Sequence, residues 1–171
     1  MFFAADLGEK YNFMSSMRVL TFEQMVAQST QRPSVILVYA SWCPSCKGMI
    51  AEMNEFAKNN VGKLRIAILS IDVDPADAEA FLSKQDPIYV ESYAVDNGRK
   101  YYADIGDAMR RFGFAFTGGV YENDGVGKVF KQTAVPHLVV IKGGRPEFEN
   151  AGAIKRDALK QLLTKYANDA K

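Results

Sequence analysis

The chain has 171 residues, 48% of them hydrophobic, with 21 lysines and arginines against 20 aspartates and glutamates. That is enough for one compact domain with a sizeable core, and the charge balance leaves no electrostatic footprint for nucleic acid or an anionic membrane. No apolar run approaches the ~18 residues of a membrane span, and the only two cysteines, Cys43 and Cys46, are too few and too close to staple a secreted disulfide scaffold.

Residues 1–16 read as an irregular or partly helical arm ahead of a single domain over 17–171. Met1-Phe2-Phe3-Ala4-Ala5 is too short for a signal core and lacks a basic start. Either the protein works in the cytoplasm or an export segment is removed ahead of Met1. Met17 to Leu20 suits a short strand, and Thr21 an N-cap with Phe22, Met25 and Val26 on one helical face. Pro33 ends that helix. Val35 to Ala40 is a continuous apolar run, expected to be a strand buried on both faces. The cysteine pair follows at once, and then Met49, Ile50, Met53, Phe56 and Ala57 recur at helical spacing.

Leu64 to Val73 predicts a second buried strand, and Asp74-Pro75 a capped helix with Ala78, Phe81 and Leu82 facing inward. Ile88 to Tyr93 reads as a third strand, closed by the turn Asn97-Gly98. Tyr101, Tyr102, Ile105, Ala108, Met109 and Phe112 predict another helix. Residues 113–125 read as a glycine-rich loop, and Val126 to Gln132 as one or two helical turns. Leu138 to Ile141 is a strand, Lys142 to Arg145 a hairpin turn, and Phe148 lies on the return strand. Ile154, Ala158, Leu159, Leu162, Leu163 and Tyr166 predict a closing helix. The order βαβαβ, an α/β insertion, then ββα implies an α/β fold. Its mixed central sheet has parallel early strands, an antiparallel final pair, and helices on both faces.

The strand–turn–helix setting gives the cysteines a chemistry. Cys43 falls at a helix N-terminus, where unpaired N–H groups and the helix dipole stabilise negative charge. It should favour the thiolate. Cys46 lies one turn on and faces inward. Cys43 is the expected nucleophile toward a substrate disulfide, and Cys46 the group that resolves the mixed disulfide. Pro44 suits the first helical position, where its missing N–H costs nothing. Ser45 offers a hydroxyl near the Cys43 sulfur, Lys47 a nearby positive charge, and Trp42, the single tryptophan, a shield on one side. Zinc would need two more ligands than the cysteines supply. A Cu(I) site on the two thiolates, aided by His137, is the chemical alternative.

Tyr39-Ala40-Ser41-Trp42-Cys43-Pro44-Ser45-Cys46-Lys47 resembles the active-site signature of the thioredoxin superfamily. Ala134-Val135-Pro136-His137, the strand to Ile141 and the turn Lys142 to Arg145 resemble its second signature, and Gly152-Ala153-Ile154 also fits. The resemblance covers roughly residues 17–168. It implies a thioredoxin-like fold, a cis bond between Val135 and Pro136 beside the cysteines, and a backbone at Val135 that pairs with a substrate chain. It also implies a redox-active disulfide with no other cofactor, protein thiol or disulfide substrates, and an upstream redox partner. The extra α/β material at about 75–125 is similar to that of TlpA-like extracytoplasmic reductases, which favours a periplasmic, reductive role. Leu37 stands where thioredoxins place a buried acid. Met49 stands where TlpA-like proteins often have an acid, and Ala51 where both groups usually have a proline.

Other features point less far. His137 is expected either to act on the Cys43 site or to be an ordinary strand residue with a satisfied ring. Gly125-Val126-Gly127-Lys128 lacks the spacing of a phosphate loop. Asp72, Asp74 and Asp77 do not follow a calcium-loop pattern. Glu52 and Glu55 read as solvated helix-surface acids. The tyrosines and phenylalanines between 89 and 121 are expected to fill the insertion's core or to form a partner surface.

Overall fold

Six consecutive apolar or small residues, Ser34–Tyr39, form the central strand β1, every one of them buried. The computed structural model describes residues 26–60, 62–70, 72, 75–85, 89–94, 109–114, 120–123, 128–132 and 135–169. After β1 come α1 (Pro44–Asn59), β2 (Arg65–Ser70), α2 (Pro75–Ser83) and β3 (Glu91–Ala94). Strands β4 (Val120–Asn123), β5 (Lys128–Gln132), β6 (His137–Lys142) and β7 (Arg145–Ala151) follow, and α3 (Arg156–Asp169) closes the chain. Residues 26–28 and 109–112 are also helical.

One five-stranded sheet runs β3-β2-β1-β6-β7. β1 pairs parallel with β2, and β2 parallel with β3. β6 and β7 complete the sheet antiparallel. This is the mixed sheet expected of a thioredoxin-like fold. A strand with neighbours on both edges and helices over its faces has no polar side, which explains the unbroken apolar run in β1. The tight β6–β7 connection places Gly143 and Gly144 at φ 61° and 76°. Two successive positive φ values suit a two-residue hairpin loop, and glycine adopts them without a Cβ clash.

The core joins β1, β2 and β6 to Ile50, Met53 and Phe56 of α1 and to Leu159, Leu163 and Tyr166 of α3. α1 and α3 pack on one another. On α2, Phe81 lies with its ring 5.7 Å from that of Tyr39. Within the insertion, Met109 and Phe114 are buried, whereas Tyr89 is exposed.

The segment around residues 113–132 differs from the sequence reading. Val120–Asn123 and Lys128–Gln132 pair antiparallel as a separate hairpin, with Tyr121 opposite Phe130. The expected loop thus contains a strand, and the expected helical turns are its partner. Val126, Val129 and Phe130 match a helical spacing over one turn only. Over so short a run the β-branched and aromatic content decides for strand. β2 ends at Ser70 rather than Val73, and β3 begins at Glu91 rather than Ile88. The arm over 1–16, the strand at Met17 to Leu20, the cap at Asp74 and the turn Asn97-Gly98 lie outside the described residues.

Candidate active site

β1 ends at Tyr39 and the chain turns at once. Cys43 N–H donates to the carbonyl of Ala40 at 3.1 Å. Cys43 is the N-cap of α1, with φ −91° and ψ 110°, and Pro44 follows inside the first turn. No side chain caps this end, and its first turn holds no acid. The partial positive charge of the helix end therefore meets the cysteine without a competing anion from the helix itself. Cys43 and Cys46 are joined in a disulfide, their Cα atoms 5.4 Å apart. Cys46 is wholly enclosed, while Cys43 keeps 5% exposure. An incoming group thus meets Cys43 first. Ser45 Oγ lies 3.6 Å from Cys43 Sγ. Lys47 is exposed, one residue past Cys46. Trp42 is 62% exposed, so it stands out beside the cysteines rather than covering them.

The second segment arrives by topology. β6 runs antiparallel to β1 with Val38 opposite His137. The start of β6 therefore lies at the sheet end from which β1 feeds the cysteine turn. The Val135–Pro136 bond at that start is cis, and Gly152 N–H donates to the Pro136 carbonyl at 2.8 Å. Val135 remains partly exposed. His137 is buried, and its Nε2 lies 2.7 Å from Glu149 Oε2 on β7. The ring is therefore engaged with a carboxylate on the neighbouring strand. Among the described residues, no three His, Cys, Asp or Glu side chains come together to hold a metal ion.

Asp72, weighed in the sequence only as a cation ligand, belongs to the site in another way. It is buried just beyond β2. Ser41 N–H donates to both of its oxygens at 3.1 Å, and Ser41 Oγ–H donates to Oδ1 at 2.7 Å. Ser70 Oγ–H donates to Oδ2 at 2.6 Å and accepts from Asp72 N–H at 3.0 Å. The carboxylate thus ties the end of β2 to the turn that carries Trp42 and Cys43. Tyr39 feels it too, for burial pushes the phenol far above its ordinary range and the negative charge of Asp72 adds to that, with Ser70 acting the other way. The strand register explains the contact. β1 and β2 pair with Tyr39 opposite Ser70, and the same register carried two residues on sets Ser41 against Asp72.

Glu52 also departs from expectation. It is buried, and Arg156 Nε donates to its Oε1 at 2.9 Å. It lies where α1 meets α3, inside a groove of about 1000 Å³ that runs from Ser45 and Ile154 toward Asn59 and Thr164. Glu52 shares the buried face of α1 with Cys46 and Met49, and Arg156 of α3 supplies the partner that a solvated surface acid does not need. Leu37 and Met49 are buried apolar residues and Ala51 is exposed.

The model of the thioredoxin family, described as Thioredoxin, matches residues 14–86. A thiol:disulfide interchange protein TxlA homologue of Synechocystis is 32% identical over 80 residues, which are 47% of this chain. The matched part spans 44% of that relative's length. Among solved structures, a thioredoxin-family thiol:disulfide interchange protein of Chlorobium tepidum superposes with a TM-score of 0.58 at 15% identity, over 82% of this chain and 83% of its own. A secreted disulfide oxidoreductase of Mycobacterium tuberculosis does so with 0.53 at 14% identity, over 84% and 85%. The structural likeness establishes the thioredoxin fold.

Proposed function

We propose that this chain, whose fold is that of thioredoxin, is a thiol–disulfide oxidoreductase that reduces protein disulfides through Cys43 and Cys46. The observation that carries this reading is the disulfide itself. It sits at the uncapped N-terminus of α1, with Cys43 the outer sulfur and cis Pro136 at the same end of the sheet.

In the reduced state, the Cys43 thiolate attacks one sulfur of a substrate disulfide. A Cys43–substrate disulfide forms and the other substrate sulfur leaves as a thiolate. Cys46, giving up its proton to the substrate thiolate just released, then attacks Cys43 Sγ. The Cys43–Cys46 bond forms and the second substrate thiolate departs. Two electrons have passed to the substrate, whose second thiolate takes up its proton from water. A dithiol reductant, the upstream partner of this reading, returns the pair to the reduced state by the same exchange. The partly exposed backbone at Val135 suits pairing with an extended substrate segment. The reductive direction and an extracytoplasmic working place follow from the resemblance to TlpA-like reductases. A secreted oxidoreductase among the proteins of similar fold accords with the latter. No helix among the described residues is long and apolar enough to cross a membrane.

The test is insulin reduction with dithiothreitol as electron source. Wild type is expected to accelerate it, Cys43→Ser to be inactive, and Cys46→Ser to accumulate a mixed disulfide visible by mass spectrometry. A wild-type protein that cannot cycle between dithiol and disulfide overturns the reading. So does Cu(I) binding that depends on Cys43 in a protein with no reductase activity.

A further inference from the structure

We infer that Asp72 is a positioning residue: its buried carboxylate holds the Cys43 turn and biases the Cys43–Cys46 couple toward the disulfide, making the protein a stronger reductant. This rests on the thiol–disulfide reading above.

Among the described residues, no cation is bonded to this carboxylate. Its hydrogen bonds come from the Ser41 amide and the Ser41 and Ser70 hydroxyls, all neutral. Among the described residues the other buried carboxylate is Glu52, and Arg156 offsets that one. Asp72 is 3% exposed, so little water screens it. It grips the backbone two residues before Cys43, within roughly 8 Å of chain at ~3.8 Å per Cα step. The same charge adds to the burial that raises the Tyr39 phenol at this end of β1.

The direction follows from charge. The disulfide is neutral, whereas the reduced pair carries a thiolate at Cys43 once the pH exceeds that thiol's pKa. A fixed negative charge nearby raises the energy of the thiolate and leaves the disulfide untouched. The open end of α1 and the Lys47 ammonium pull the other way, and the His137–Glu149 pair stands across the sheet end on β6 and β7. Asp72 is the counterweight to the helix. Leu37 offers no acid on the central strand, so this anchoring carboxylate comes from the neighbouring one.

The experiment is equilibration of the full chain with glutathione, in which disulfide plus two glutathione thiols gives dithiol plus glutathione disulfide. Asp72→Asn keeps an oxygen for the Ser41 amide and removes the charge. It is expected to shift this equilibrium about tenfold toward the dithiol, about 30 mV for a two-electron couple, when measured above the pKa of Cys43. The gap should close below that pKa, and thiolate absorbance should show Cys43 ionising at lower pH in the variant. Ser41→Ala keeps the charge, and its potential should stay within about twofold of wild type in equilibrium constant. If Asp72→Asn fails to fold, Asp72→Ser carries the same comparison. An uncharged variant that loses stability but keeps the wild-type potential at every pH overturns the inference and leaves the oxidoreductase reading standing. A wild-type pair that never equilibrates with glutathione overturns that reading instead.

Discussion

α1 and α3 lie side by side and share one core, yet they begin differently. α3 opens with Arg156 and Asp157, placing an acid in the first turn, where it complements the helix dipole. α1 opens on Cys43 and Pro44, with no acid in its first turn and no side chain bonded to its end. A helix built for stability alone would carry a serine, threonine, asparagine or aspartate at that position, worth about 1 kcal/mol. In α1 that stabilisation is forgone and the positive end is left to a sulfur. The contrast assigns α3 to packing and α1 to both packing and chemistry.

Converting the start of α1 into an ordinary one should break the contrast most strongly. Cys43→Ser supplies a capping hydroxyl and removes the nucleophile. Disulfide exchange is expected to disappear. Thermal unfolding under reducing conditions should show the variant at least as stable as reduced wild type, since the cap offers up to about 1 kcal/mol. Equal stability loss and activity loss would count against an end kept open for chemistry.

The shared core should respond alike from both helices. Ile50 on α1 and Leu163 on α3 are fully buried. Replacing either with alanine is expected to cost about 2–5 kcal/mol in urea unfolding. A much smaller cost on one side would show that the helices do not contribute equally. A finer test lies at their contact. Arg156 is exposed and Glu52 is not. Arg156→Ala leaves a carboxylate buried without its ion pair, at an expected cost of about 1–3 kcal/mol, whereas Glu52→Gln frees an arginine already in water and should cost less than about 1 kcal/mol. Denaturant unfolding of the two variants measures the asymmetry, and equal costs would refute it.

Much of this was legible in the sequence because the signals were local. The apolar run at Val35 to Ala40 declares a strand buried on both faces, and the Cys-Pro-Ser-Cys segment behind it declares a helix start. The turn at Gly143 and Gly144 likewise carries its own backbone requirement. What escaped depended on partners distant in the chain. Asp72 acquires its role only when β2 lies beside β1 with Tyr39 opposite Ser70. Glu52 becomes a buried acid only when Arg156 arrives from α3. The hairpin of β4 and β5 was hidden by shortness, for a few residues cannot separate a two-residue period from a helical one.

The smallest expected effect sharpens the same contrast through two tyrosines. Tyr39 leads into α1 and Tyr166 belongs to α3, and both phenols are pushed above the ordinary value, chiefly by burial. Asp72 adds to the rise at Tyr39, while Glu147 and Asp169 add to it at Tyr166. A phenol is neutral when protonated, so the folded protein keeps these protons at a pH where the unfolded chain releases them. Above about pH 10, the usual tyrosine pKa, the unfolded state binds fewer protons than the folded state, and stability falls as pH rises. Below that pH the contribution is intact. Tyr39→Phe removes this linkage and should flatten the alkaline loss of stability, while changing neutral-pH stability by less than about 1.5 kcal/mol. Tyr166→Phe should flatten it less, because the displacement at Tyr39 is the larger. Urea unfolding repeated from neutral to alkaline pH decides the matter. If the two variants flatten the slope equally, the β1 end that leads to the cysteines is no more hostile to a second negative charge than the α3 side, and the asymmetry between the two regions is confined to the helix starts.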